Sequence, residues 1–261
     1  MITVSVRRAL AVAATLLLVG GCGGESDASE PGSAGSSAAA APITVFAAAS
    51  LTEAFTQIGK DFEQVAGSTV TFNFGSSATL ATQINSGAPA DVFAAASPAT
   101  MKTVTDAGGA TAPVDFVANT LQIAVPKGNP ARVTGLADFA DESRTIALCA
   151  PQVPCGAAAE KVFAVAGITP RPDTLEQDVK ATLTKVAADE VDAALVYRTD
   201  VIAAAGDVEG IDFPESASAV NTYPIAVLTS SKASSTAQAF VDYVRSPEGQ
   251  AVLAEAGFAK P

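Results

Sequence analysis

From Ile43 onward, short β-rich runs alternate with alanine-rich helical stretches, and this alternation predicts an α/β fold with largely parallel sheets. Punctuation at the boundaries supports that class. Gly87 follows "TQINS", Gly108 and Gly109 follow "VTDA", Gly167 follows "FAVA", and Pro98 suits a first helical position. Size is the third observation: 261 residues, 49% of them hydrophobic, suffice for one large domain or two small lobes.

In chain order, strands are expected over 43–46, 69–74, 92–94, 121–125, 145–149, 193–197 and 225–228. Within the second run Val70, Phe72 and Phe74 alternate, as a half-buried strand requires. Helices are expected over 51–65, 78–85, 98–107, 135–139, 157–166, 179–189, 200–205, 235–244 and 247–256. No stretch after residue 21 reads as a membrane span, and neither a GxGxxG nor a Walker motif is present.

Composition narrows the chemistry. The chain has no histidine, hence no side chain with an unperturbed pKa near neutrality and none of the commonest zinc ligand. Its first residues, "MITVSVRR", are basic, and the 13 residues "ALAVAATLLLVGG" that follow are too few to span a bilayer. Residues 1–21 therefore read as a secretory signal. The signal ends in Val19-Gly20-Gly21-Cys22, which looks like a bacterial lipobox with Cys22 as the lipid-bearing residue. Residues 22–42, rich in Gly, Ser, Ala and Pro, read as a tether reaching roughly 25 Å. Loss of Arg7 and Arg8 with the signal leaves 13 basic against 27 acidic residues, a formal charge of −14. Such a charge disfavours nucleic acid as a partner. Cys149 and Cys155, six apart in an exported chain, are candidates for a disulfide whose geometry the spacing leaves open.

In open α/β sheets ligands bind beyond the carboxyl ends of strands, where helix N-termini offer free N–H groups and partial positive charge. Five junctions are candidates. "VFAAAS" occurs twice, ending at Ser50 and at Ser97. Ser50 opens the S-x-x-E of a capping box, so it is either a cap alone or a cap that also binds. After Phe74, Gly75 permits a turn, and Ser76 and Ser77 supply one hydroxyl more than a cap needs. "CAPQVPCG" delivers Cys155 and Gly156 to a helix with their backbone amides. Asp178 reads as an N-cap with Val179 in the first turn, and Tyr197 ends the strand "DAALVY" as either a core phenol or a donor. Hydroxyls and amides without an obvious Lys or Arg suit a fully deprotonated tetrahedral oxyanion.

"ITVFAAASLTEAF", "FGSSATLATQINSGAPADVF", "VPKGNP", "VPCGAAAEKVF" and "AALVYRTDV" resemble, in order and spacing, the molybdate-binding (ModA-type) proteins of bacterial ABC transporters. The resemblance runs from about Ile43 to the C-terminus; "YVRSPEGQAVLAEAGF" is common to solute-binding proteins more widely. It implies the type II periplasmic-binding fold, two α/β lobes with a hinge and an interlobe cleft. Lobe 1 would hold 43–122 and 223–261, and lobe 2 would hold 123–222. Residue by residue, it implies that Ser50, Ser77, the amides of Cys155 and Val179, and Tyr197 bind the oxyanion, while Ser97 is a plain cap. The ligand would be molybdate, with tungstate of equal charge and similar size. No cofactor is implied. The other partners would be the importer's permease and, through Cys22, the membrane; a monomer is expected. Two departures stand out: the Cys155 position is commonly a small residue such as alanine, and the usual "YGSD" reads "YRTD", which sets Arg198 beside Tyr197. Sulfate or another small anion on the same fold is the alternative ligand. A serine hydrolase is a remote one, because a histidine base, G-x-S-x-G and a convincing S-x-x-K are all missing.

Overall fold

The computed structural model describes residues 40–261. The signal, Cys22 and all but the last three residues of the tether lie outside the described residues. Two five-stranded sheets organise the rest. β1 (Ile43–Ala48) pairs in parallel with β2 (Val70–Gly75) and β3 (Val92–Ala94). β10 (Asn221–Val227) then runs antiparallel to β3 and to β4 (Val114–Asn119), giving the order β2-β1-β3-β10-β4. The second sheet has the order β7-β6-β8-β5-β9, from β5 (Leu121–Pro126), β6 (Ile146–Cys149), β7 (Thr174–Glu176), β8 (Ala193–Tyr197) and β9 (Val208–Ile211). There β6 is parallel to β7 and β8, while β5 is antiparallel to β8 and β9.

The expected largely parallel sheets are therefore mixed. The returning strands β5 and β10 run against their neighbours because the chain reaches each by crossing from the other sheet, not through a helical crossover. β4, β7 and β9 were not among the expected strands. β7 has three residues and β9 contains Gly210, so neither carries a strong alternating pattern. The stretch expected as a helix over 135–139 is a 3-10 turn, Leu136–Ala140.

The chain leaves the first sheet at Asn119, enters the second at Leu121, and returns between Ile211 and Asn221. The expected borders at 122/123 and 222/223 thus fall inside β5 and β10. Asn119 and Asn221 face each other in register, so both crossovers lie side by side. Pro224 has no N–H to give the ladder, and β10 shifts register between Tyr223 and Pro224.

Helices cover both sheets. α1 (Thr52–Ala66), α7 (Ser234–Arg245) and α8 (Pro247–Glu255) bury Phe55, Phe62, Phe240 and Leu253 on one face of the first sheet. α2 (Ser77–Asn85) and α3 (Pro98–Asp106) bury Leu80, Ile84 and Met101 on the other. α4 (Pro154–Ala166), α5 (Val179–Ala187) and α6 (Arg198–Ala203) flank the second sheet around Phe139, Ile146, Val162 and Leu195. Ala49, from the first lobe, packs into this second core. α3 starts as expected: Pro98 is at N1 and Ser97 Oγ accepts the Thr100 N–H at 3.2 Å. α1 and α4 end in left-handed Gly67 and Gly167.

Candidate oxyanion site

Ser50, Ser77, Cys155, Val179 and Tyr197 line a single buried cavity between the two sheets. Ala48, Ala49 and Ala96 form its small apolar wall, and their short side chains let the backbones approach. Each polar member sits where a strand hands over to a helix. Ser50 follows β1, Ser77 is the first residue of α2 after β2, Cys155 is in the first turn of α4 after β6, Val179 opens α5, and Tyr197 ends β8. First-turn N–H groups have no acceptor within their own helix. In α4 Pro154 has no N–H at all, so the amides of Cys155 and Gly156 are the first available. In α5 Asp178 Oδ1 caps the Ala181 N–H at 2.9 Å, leaving the Val179 amide free of the cap.

Ser50 is not the N-cap that its S-x-x-E context suggested. The chain first makes a 3-10 turn over Ala49–Leu51, so α1 begins one residue late with Leu51 at the cap position. The Ser50 hydroxyl instead shares a 2.9 Å hydrogen bond with the Tyr223 hydroxyl, and Glu53 turns away to Lys180. Its side chain is therefore free of any helix-capping duty.

Ser77 Oγ accepts the Ala96 N–H at 3.0 Å. Tyr197 OH accepts from Asn221 Nδ2 at 2.9 Å. Burial pushes the Tyr197 and Tyr223 phenols well up, so both remain protonated and able to donate at neutral pH. Cys149 and Cys155 are joined by a disulfide, which ties the end of β6 to the first turn of α4. The amide assigned to the site thus sits on a covalently fastened turn.

Ser76 belongs to the same cavity, although the resemblance selected only Ser77. Its hydroxyl is buried and has no partner among the described residues. The adjacent serines were the available signal. Asn119, Asn221 and Tyr223, which stand behind the cavity, left none, since each reads as an ordinary strand residue. Arg198 is exposed and does not line the cavity.

A second cation adjacent in sequence to a site residue is Lys180, next to Val179. Its Nζ reaches Glu53 at 2.8 and 2.9 Å and forms an ion pair with Asp200 Oδ1 at 3.1 Å. One ammonium thus joins α1 of the first lobe to α5 and α6 of the second. Burial lowers the Lys180 pKa, but the Asp200 and Glu53 carboxylates outweigh it and the result is raised. Burial raises Asp200 to about 6, against the opposing pull of Lys180. A raised carboxylate favours folding when protonated, so its stabilising share is full below pH ~3.8 and is lost as pH rises through about 6. The stability difference between wild type and Asp200→Asn is expected to shift against wild type by roughly 2–3 kcal/mol from pH 4 to pH 7. Urea unfolding at both pH values checks this; a flat difference contradicts it.

A family model described as bacterial extracellular solute-binding protein matches residues 43–259. The molybdate-binding protein ModA of Mycobacterium tuberculosis H37Rv is 42% identical over 242 residues, 92% of each chain. This chain belongs to the ModA family of bacterial extracellular solute-binding proteins. Escherichia coli K12 ModA is 32% identical over 235 residues, covering 83% of this chain and 88% of that one. Among solved structures, the periplasmic molybdate-binding protein of Azotobacter vinelandii matches with a TM-score of 0.73 at 21% identity, over 84% of this chain and 99% of that one. The sulfate-binding protein SubI of Mycobacterium tuberculosis matches with a TM-score of 0.73 at 18% identity, over 85% and 87%. At these identities the likeness is one of fold, and it establishes the two-lobed α/β architecture of the ModA family here.

Proposed function

We propose that the chain captures molybdate, and tungstate with it, between its lobes and delivers it to an ABC importer without chemical change. The observation that carries this reading is the convergence of three hydroxyls and two helix N-termini on one buried cavity, in a ModA-family chain. Ser50, Ser77 and Tyr197 donate through oxygen, and Cys155 and Val179 through backbone nitrogen. Such donors satisfy the oxygens of a tetrahedral dianion without a full opposing charge, and the low dielectric of a buried site strengthens each bond. Tungstate, equal in charge and similar in size, meets the same donors. Calorimetry with molybdate, tungstate, sulfate and phosphate in parallel tests this. Molybdate and tungstate are expected to bind one per chain, with sulfate and phosphate weaker. Absence of molybdate binding, or tighter sulfate binding, overturns the assignment.

The same proposal places the protein on the outer face of the membrane, held by a lipid on Cys22 and tethered through residues 22–42, with the importer's permease as partner. The Val-Gly-Gly-Cys sequence supports the anchor. Cys22→Ala is expected to release the protein or leave it unprocessed. A variant of mature size that stays wholly with the membrane refutes the anchor.

A further inference from the structure

We propose that Asn221 and Asn119, the paired residues at the two crossovers, are positioning residues that turn the hydroxyl protons of Tyr197 and Ser50 into the cavity. The assignment rests on the oxyanion-binding reading above and adds to it the residues that set the polarity of the site. A hydroxyl has one proton and can serve as donor or acceptor. Which one it presents to a ligand depends on what holds its oxygen from behind.

Both asparagines are buried, and their amide orientation follows from rigid backbone partners. Asn221 Nδ2 donates to the Ala96 carbonyl at 2.8 Å, a group that can only accept, so the nitrogen is on that side. The same nitrogen donates to Tyr197 OH at 2.9 Å. The Tyr197 oxygen is engaged there as an acceptor, so its proton is turned away from Asn221, toward the cavity and the neighbouring Tyr223 hydroxyl. Asn119 Oδ1 accepts the Thr120 N–H at 3.0 Å, which can only donate, so Nδ2 points the other way. That nitrogen donates to Thr199 Oγ1 at 2.9 Å and faces Tyr223 OH at 3.5 Å. With its oxygen so faced, Tyr223 directs its proton along the 2.9 Å contact to Ser50 Oγ. Ser50 in turn has its proton free for the ligand. The third hydroxyl, Ser77, is held the same way by the Ala96 N–H. The three assigned hydroxyls thus each present a proton to the ligand, beside Ser76, whose hydroxyl is held by no partner among the described residues. With those three protons turned toward it, the cavity favours an oxyanion without protons over one that carries hydrogen, such as hydrogen phosphate, which needs an acceptor turned toward it.

The test is two double-mutant cycles on the whole chain, read by calorimetry with molybdate and with hydrogen phosphate. Asn119→Asp replaces a donor by an acceptor of the same shape; Tyr223 then donates to the carboxylate and Ser50 to Tyr223. Asn221→Asp does the same to Tyr197. Each is expected to weaken molybdate binding by about 10- to 100-fold in the wild-type background. Asn119→Asp should change it by only about twofold when Tyr223 is already Phe, and Asn221→Asp likewise when Tyr197 is already Phe. The ratio of hydrogen phosphate to molybdate affinity should also rise at least about tenfold in the single Asp variants, because an oxygen lone pair now faces the ligand. Equal losses in both backgrounds, with the two anions weakened alike, would mean charge repulsion or distortion and overturn the assignment. The cycles are independent, so a variant that fails to fold leaves the other to decide. A wild-type protein that binds no molybdate overturns the oxyanion reading itself, and this assignment with it.

Discussion

Replacing Gly156 by alanine is expected to lower stability by about 3 kcal/mol or more and to destroy oxyanion binding with it. A Cβ at this position would lie 2.0 Å from the Ala150 carbonyl oxygen, 2.6 Å from its carbon and 2.8 Å from the Cys149 carbonyl oxygen. All three are backbone atoms, so no side chain can swing aside. The Cys149–Cys155 disulfide fastens the same turn, which prevents α4 from backing away from β6. Overpacking in a core that can relax costs about 1–3 kcal/mol, and this turn has little room to relax. A loss of that size would lower Tm by roughly 6–12 °C in a chain of this length. The Cys155 amide belongs to the same helical turn, so any shift that accommodates the new methyl also displaces a proposed ligand. Gly206 provides the control, since nothing lies within 4 Å of its Cβ position and its φ is not in the left-handed range. Gly206→Ala should leave Tm and affinity near wild type. A Gly156→Ala protein with wild-type Tm and affinity would show that the turn is far softer than its packing implies.

Ser50→Ala and Ser97→Ala should separate binding from stability, although both serines end the same six residues, "VFAAAS". Ser97 caps α3 by accepting the Thr100 N–H, so its loss should cost about 0.5–2 kcal/mol of stability. It lies outside the cavity, and affinity should stay within about twofold. Ser50 caps nothing. Its replacement removes a hydrogen bond to a charged ligand, worth roughly 1.5–3 kcal/mol. At 1.4 kcal/mol per factor of ten, molybdate binding should weaken by about 10- to 100-fold. Its cost in stability should be limited to the partner that Tyr223 loses, about 1 kcal/mol. Calorimetry and thermal unfolding of both variants check the pair. Equal loss of affinity in the two, or none in either, removes Ser50 from the site.

The sequence by itself determined the class of fold and the places where a ligand could sit. Strand–helix alternation is a local pattern, and so are the Pro98 start of α3, the Gly167 end of α4, and the Asp178 cap on α5. Each depends on residues within one turn of each other, which is why propensity and punctuation reveal them. The lack of histidine, likewise legible in the sequence, removes the side chain whose unperturbed pKa lies near neutrality. Tertiary structure decided the rest, because the remaining choices depend on residues far apart in the chain. S-x-x-E reads as a capping box for Ser50; the chain instead enters α1 through a 3-10 turn, and Tyr223, 173 residues away, takes the hydroxyl. Mixed rather than parallel sheets follow from two crossovers that bring Asn119 opposite Asn221. The hydroxyls of Ser77 and Tyr197 take their direction from Ala96 and Asn221. A hydroxyl rotates freely about its C–O bond, so nothing local fixes where its proton points; only a donor brought up behind it by the fold can do so.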